Sequence, residues 1–253
     1  MKHMEFFAMT DIGKYRKQNE DYYYADNENG LFIVADGMGG HNAGEVASKL
    51  AVESFVKKIN ELKIRNNFGK DDAVPGRKKI MQILIESFNY SNKMVYEMAL
   101  SKKDFQGMGT TFSCCYINGH TANIVHIGDS RIYFAENETF ELLTEDHTLV
   151  GEMYKKGLIS YKEMFNHPMR NYLNKVIGTD PETECDLITR NLKNGDILIL
   201  CSDGLNSMLT DEQIFSIILK YRTPEKITEN LIKSANQKGG RDNITVITLM
   251  KTD

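Results

Sequence analysis

The chain has 253 residues, of which 41% are hydrophobic and 26% charged, and its formal net charge is −4. That is ample apolar material for a sizeable core, while the acidic balance argues against nucleic acid as a main partner, since phosphate backbones need a basic face. No apolar run reaches membrane-spanning length and Met1-Lys2-His3-Met4-Glu5 has no signal-peptide pattern, so the expectation is a soluble cytoplasmic protein with no membrane partner.

Glu5 to Thr10 reads as a first strand, and Asp11 to Arg16 turns out of it. Asn19-Glu20-Asp21 precedes Tyr22-Tyr23-Tyr24, a β-favouring aromatic run, and Asp26 to Gly30 is a turn. Leu31 to Ala35 is a continuous apolar run, the pattern of a strand buried on both faces. Aspartate is a poor strand residue, so Asp36 is expected to end that strand. Gly37, Gly39 and Gly40 then let the backbone turn sharply and approach a ligand closely.

Gly44 to Asn60 reads as a helix, with Ala47, Leu50, Ala51 and Phe55 at helical spacing. Glu61 to Gly76 is a polar connector and not a domain boundary. Arg77 to Leu100 is the longest helical pattern, with Ile80, Ile83, Leu84, Phe88 and Val95 roughly on one face. From Thr110 the texture changes to strands. Thr110–Ile117 and Thr121–Ile127 flank Asn118-Gly119, a strong hairpin signal, and Arg131–Ala135 with Phe140–Thr144 forms a second hairpin.

Asp146 to Pro168 is mixed, helical in patches, and reads as an excursion near the site. Cys185–Thr189 and Ile197–Cys201 return to strand. Asp211–Tyr221 and Thr223–Lys238 are helices, the second opened by Thr223-Pro224 and closed by Gly239-Gly240; a last strand follows. Helices grouped between antiparallel strands predict a single α+β layered domain, two packed sheets with helix pairs outside. The hairpins in the middle argue against a doubly wound parallel sheet.

Four strands end or begin at an aspartate: Asp36, Asp129 after Gly128, Asp203 after Ser202, and Asp242 before Asn243. Singly each reads as a turn residue. Together with Glu20 and Asp21 they suggest carboxylates converging at one sheet end, where repulsion calls for cations. An all-oxygen site suits Mg²⁺ or Mn²⁺, and two such ions roughly 3.5–4 Å apart can activate water for in-line displacement at phosphorus. Arg16 could supply a fork for a phosphate dianion. These parts describe a metal-dependent phosphatase.

Other chemistries fit less well. The four cysteines and six histidines lack zinc-ligand spacing, and Cys114, Cys115, Cys185 and Cys201 read as reduced core or near-core residues. Asn42 stands where a dinucleotide fingerprint needs its third glycine, and no Lys-Ser/Thr follows the glycines. No loop has the EF-hand spacing. Ser130, Ser202 and Ser207 lack a nucleophile-elbow context. His147 and His167 read as locally structural.

Arg16-Lys17-Gln18-Asn19-Glu20-Asp21, Asp36-Gly37-Met38-Gly39-Gly40, Gly109-Thr110-Thr111, Gly128-Asp129-Ser130-Arg131, Ser202-Asp203-Gly204-Leu205 and Asp242-Asn243-Ile244-Thr245 resemble, in order, the motifs of the metal-dependent protein phosphatases. This is the protein phosphatase 2C family in its bacterial single-domain form, and the motifs span nearly the whole chain. The resemblance implies a four-layer α-β-β-α sandwich over residues 1–253, a variable flap at about 148–170, and hydrolysis of phosphoserine and phosphothreonine in proteins.

It further implies a dinuclear Mn²⁺/Mg²⁺ centre with two tight ions and a weaker third. Asp36 would bridge the tight pair, the Gly37 carbonyl would bind one ion, and Asp203 and Asp242 would complete the direct ligands. Glu20 and Asp21 would orient water at the ions, Arg16 would bind the substrate phosphate, and Asp129 would help hold the third ion. Phosphoproteins would be the partners, among them a bacterial serine/threonine kinase and its substrates, and the chain would act as a monomer.

One position departs from many eukaryotic relatives, which carry a histidine after the Asp-Gly pair, proposed as the acid for the leaving alkoxide. Here it is Met38, as in many bacterial members. A thioether donates no proton, so the acid would be water, and His41 is not assigned the role. The alternative from another class is an inactive phosphatase-like domain that binds phosphoproteins or regulators; such a copy has no reason to keep every ligand. A regulator of a single partner, as in sigma-factor switches, usually comes with sensor domains, and none is expected here.

Overall fold

The structure is a computed structural model that describes residues 4–39, 43–66, 76–160, 163–164 and 167–252. Its strands are β1 (Met4–Asp11), β2 (Asp21–Asp26), β3 (Leu31–Met38), β4 (Gly109–Thr110), β5 (Phe112–Asn118), β6 (Thr121–Ile127), β7 (Arg131–Glu136), β8 (Thr139–Leu142), β9 (Asp186–Asn191), β10 (Ile197–Cys201) and β11 (Ile244–Lys251). Its α-helices are α1 (Ala43–Arg65), α2 (Arg77–Ser101), α3 (Leu149–Lys155), α4 (Asp203–Asn206), α5 (Asp211–Lys220) and α6 (Pro224–Gln237).

The strands form two antiparallel sheets, ordered β1-β11-β10-β7-β8 and β2-β3-β5-β6-β9, with β4 attached to β3. The layers follow from the period of two in a strand. In β3, Leu31, Ile33 and Ala35 pack with residues of α1 and α2, including Phe55 and Phe88. The alternate residues Phe32 and Val34 meet Phe134, Leu198, Leu200 and Ile247 of the other sheet. On that sheet's outer face Tyr133, Ile199, Cys201 and Val246 pack against Ile214, Ile218, Leu231 and Ile232 of α5 and α6. The continuous apolar run of β3 thus serves two cores at once, as a strand covered on both faces must, and the predicted four-layer α-β-β-α sandwich is what forms.

Several boundaries differ from the sequence reading. Asp36 does not end β3, which runs on through Gly37 and Met38 because β4 supplies them with partners, Thr110 and Gly109. Helix α1 continues to Arg65, its buried stripe carried on by Ile59 and Leu62. Strand β9 begins at Asp186. The Asn118-Gly119 hairpin joins β5 to β6 as expected. Thr210 and Gln213 form a reciprocal capping box on α5, and Thr223 caps α6. Residues 67–75 of the connector, together with Gly40, His41 and Asn42, lie outside the described residues.

Candidate metal centre

Asp21 opens β2 directly opposite Asp36 of β3, two like charges on one face of an antiparallel pair. Asp21 is buried. Its Oδ2 accepts hydrogen bonds from Ser202 Oγ and Thr245 Oγ1, each at 2.7 Å, both from the facing sheet. Its Oδ1 is buried with no hydrogen-bond partner. Burial, only partly offset by those two hydroxyls, pushes its carboxyl up to about 7, with Asp203 and Asp242 adding to the rise.

The other carboxyls behave alike. Burial and the repulsion of Asp21, Asp203, Asp129 and Asp242 hold Asp36 well above the usual carboxylate range. Asp203 opens α4; burial and Asp242 raise it to about 6, moderated by a hydrogen bond shared with Asp36. Burial and Asp203 raise Asp129 strongly. Burial raises Glu20, with Arg16 opposing. Asp242 sits just before β11, and its Oδ2 accepts from Arg16 Nη2 at 2.6 Å. The fork expected for phosphate therefore rests on a carboxylate of the same cluster, half in solvent.

Gly37 and Gly44 explain how a backbone carbonyl joins this group. A β-carbon on Gly37 would stand 2.0 Å from the Gly44 carbonyl oxygen, and one on Gly44 would stand 2.6 Å from Glu20 Oε1 and 2.8 Å from the Gly37 oxygen. Only hydrogen fits between them. The Gly37 N–H donates to the Glu20 carbonyl at 3.1 Å. Two oxygen donors, the Glu20 carboxylate and the Gly37 carbonyl, are thereby drawn to the first turn of α1.

The preceding loop is held from the far end of the chain. Asn243 Oδ1 accepts from the Glu20 N–H at 2.8 Å, and its Nδ2 donates to the carbonyls of Ile12 and Gln18. Arg16 and Glu20 are thus fixed by the residue next to Asp242.

Asp129 is placed by a loop with its own supports. Gly128 has φ +104°, and a β-carbon there would stand 2.6 Å from Thr111 Cβ. The Gly128 N–H donates to His147 Nδ1 at 3.1 Å, and the His147 N–H returns to the Gly128 carbonyl at 2.8 Å. With Nδ1 accepting, His147 carries its proton on Nε2, which faces Asp186 Oδ2 at 3.2 Å. His126 is fully buried, its Nε2 donating to the Glu145 carbonyl and its Nδ1 accepting from Ser113 Oγ. Arg131 grips Asp146 through two parallel bonds of 2.9 and 2.6 Å. Thr111 Oγ1 accepts from the Asp36 N–H and bonds Ser130 Oγ, linking this loop to β3.

A cavity of about 430 Å³ opens on the cluster, lined by Asp129, Asp146, Asp203 and Asp242, by Arg131 and Arg241, and by Thr148, Met164 and Arg170 of the predicted flap. A larger cavity, about 890 Å³, lies between α2 and β9 and contains none of the candidate site residues. Among the described residues, no three metal-type side chains already stand in the tight geometry of one ion's ligand set. The donors nevertheless suit a hard cation. All are oxygens, one buried carboxylate oxygen lacks a partner, and the buried carboxyls raise one another.

Every residue expected at the site lies in or beside this cluster: Arg16, Glu20, Asp21, Asp36, Gly37, Asp129, Asp203 and Asp242. The supporting residues were not foreseen. Ser202 and Thr245 stand inside the quoted motifs, yet their bonds to Asp21 depend on one sheet facing the other. His147, read as locally structural, is so, holding the Gly128 turn. The cysteines are free, with Cys114, Cys115 and Cys201 buried.

A model of the family described as protein phosphatase 2C matches residues 15–238. A serine/threonine phosphatase stp of Listeria monocytogenes is 36% identical over 249 residues, covering 97% of this chain and 94% of that one. A serine/threonine phosphatase of S. agalactiae superposes with a TM-score of 0.87 at 35% identity, covering 98% of this chain and 99% of the other. The catalytic domain of the serine/threonine protein phosphatase PstP, solved in complex with two manganese ions, superposes with a TM-score of 0.83 at 32% identity over 99% of both chains.

Proposed function

The chain belongs to the protein phosphatase 2C family, and from that membership we propose how its own residues carry out metal-dependent hydrolysis of phosphoserine and phosphothreonine in proteins. Asp36, the Gly37 carbonyl, Asp203 and Asp242 would hold two Mn²⁺ or Mg²⁺ ions, and Asp129 with Asp203 would hold a weaker third. Bound there, the ions would supply an activated water and neutralise charge on the phosphoryl oxygens. The observation that carries the assignment is the set of carboxyls raised by burial and by one another around Asp21 Oδ1, which has no partner of its own.

The chain's residues then have distinct tasks. Arg16 exchanges Asp242 for the substrate phosphate and orients it, a fork matched to two phosphate oxygens. Ser202 and Thr245 fix Asp21 through one carboxylate oxygen, leaving its unpartnered Oδ1 to orient water. Glu20, pinned through its backbone by Asn243 and Gly37, orients water from the α1 side. Met38 closes the strand without a proton to give, so the leaving alkoxide takes its proton from water. The physiological partners are phosphoproteins, including a serine/threonine kinase and its targets, and the chain works as a monomer.

The test is hydrolysis of an aryl phosphate and of a phosphothreonine peptide after exhaustive chelation, with and without added Mn²⁺. Turnover should vanish on chelation and return with metal. Full activity in the chelated protein would refute the assignment.

A further inference from the structure

The cavity over the acidic cluster holds a cation that hydrolysis of a bare phosphate does not use. Arg241 lines it together with Asp203 and Asp242. Of the other guanidiniums near it, Arg131 grips Asp146 and Arg16 grips Asp242, while Arg170 is exposed on the flap side. Arg241 is exposed, and its guanidinium makes no hydrogen bond or ion pair with any described residue.

Its backbone, in contrast, is fixed on both sides. Before it, the Gly240 carbonyl accepts from the Lys14 N–H at 2.7 Å. After it, Asp242 Oδ1 accepts from the Asn243 N–H at 2.8 Å while Oδ2 holds Arg16. The side-chain stem lies over Gly239, where an added β-carbon would stand 3.6 Å from Arg241 Cγ and 3.9 Å from Nε, with Met208 Sδ at 3.3 Å. A rigid base, a stem resting on a helix end and an unpartnered charged head are what recognition of a mobile anion asks for.

Resting on the phosphatase reading above, we propose that Arg241 is a specificity-determining residue, which pairs with an anionic side chain next to the phosphoresidue in the substrate. The phosphoryl group is held by Arg16 and the acidic cluster, and Arg241 stands one residue from that cluster on the wall of the same cavity. A chain bound with its phosphoresidue at the centre carries its neighbours past this wall. Arg241 puts a positive charge on that wall, one residue from the centre, for an acidic neighbour to pair with. The anion is a carboxylate or a second phosphate, since guanidinium takes either in the same forked geometry.

The test uses the full chain loaded with Mn²⁺ and phosphothreonine peptides that differ in one flanking residue, placed in turn on either side. That residue is Gln, Glu, or a non-hydrolysable phosphonate analogue of phosphoserine. The wild-type protein should favour the anionic flank in kcat/KM, by roughly three- to tenfold for Glu and more for the phosphonate. Arg241→Ala should erase the ratio, Arg241→Lys should keep part of it, and Arg241→Glu should invert it. Binding of peptides whose phosphothreonine is itself replaced by a phosphonate, read by fluorescence anisotropy, should follow the same order without turnover.

Equal ratios in wild type and Arg241→Ala would overturn the proposal, as would a wild-type protein with no preference. A wild-type protein that hydrolyses neither peptide nor aryl phosphate with Mn²⁺ would instead overturn the phosphatase reading, and this inference with it.

Discussion

Replacing His126 by Gln should change how stability depends on pH. The imidazole is fully buried, and burial, with the His147 ring 5.2 Å away, holds its pKa down at about 3 against 6.5 in the unfolded chain. A group depressed in this way binds its proton more readily when unfolded. Its stabilising contribution is complete above pH 6.5 and is lost progressively as pH falls toward 3. At one pKa unit per 1.36 kcal/mol the full loss is about 5 kcal/mol, and about 2 kcal/mol of it falls between pH 8 and pH 5.

A Gln amide can still donate to the Glu145 carbonyl and accept from Ser113, but it does not titrate. At pH 8 the variant should therefore be less stable by about 1–3 kcal/mol for poorer bonds, and the gap should close by about 2 kcal/mol at pH 5. The assay is urea unfolding of both proteins in chelator across that range. The difference between the proteins is the readout, because Asp21 and Asp203 titrate in the opposite sense. Their raised pKa values of about 7 and about 6 give stability at low pH that is lost as pH rises through those values. Two curves that stay parallel from pH 8 to pH 5 would refute a buried, neutral His126.

Asp36→Asn and Asp203→Asn should each abolish turnover while leaving the chelated protein at pH 8 as stable as wild type or more so, because each removes a charge from a self-repelling cluster; melting curves and an aryl phosphate assay check both halves. Arg16→Ala should weaken aryl phosphate hydrolysis mainly through a higher KM, since the guanidinium contacts phosphate before and during reaction, and a fall in kcat alone would contradict that role. Asp129→Ala should retain two ions per chain and lose a third, weaker one in titration calorimetry, with turnover reduced; loss of all bound metal would make Asp129 a core ligand.

Much of the fold was written locally. The Asn118-Gly119 turn, the Thr223-Pro224 helix start and the two-sided apolar run of β3 each name their structure within a few residues. What was not legible depends on partners far away in the chain. β4 is two residues long, too short for any periodicity, yet it carries β3 two residues past Asp36. The acidic residues of the site were readable because each sits beside a strand. Their supports were not. Ser202 and Thr245 acquire their meaning only when the facing sheet delivers them to Asp21, and His126 and His147 only when the Gly128 turn comes between them. Nothing local distinguishes a serine that bonds a carboxylate from one that faces water.

The pairing of β1 with β11 has a consequence for how the molecule is made. Met4 lies opposite Lys251, and Asn243 clamps the loop that carries Arg16 and Glu20. During synthesis at about 5–20 residues per second, the first strand waits roughly ten to fifty seconds for its neighbour. Until then its edge can be capped only by transient partners, and the acidic loop has no clamp. A growing chain therefore has no working centre until β11 has left the ribosome. Contacts so distant in sequence also make the last folding step slow, because a loop of nearly the whole chain must close before any bond rewards it. A truncation that removes β11 would accordingly cost the active site as well as a strand.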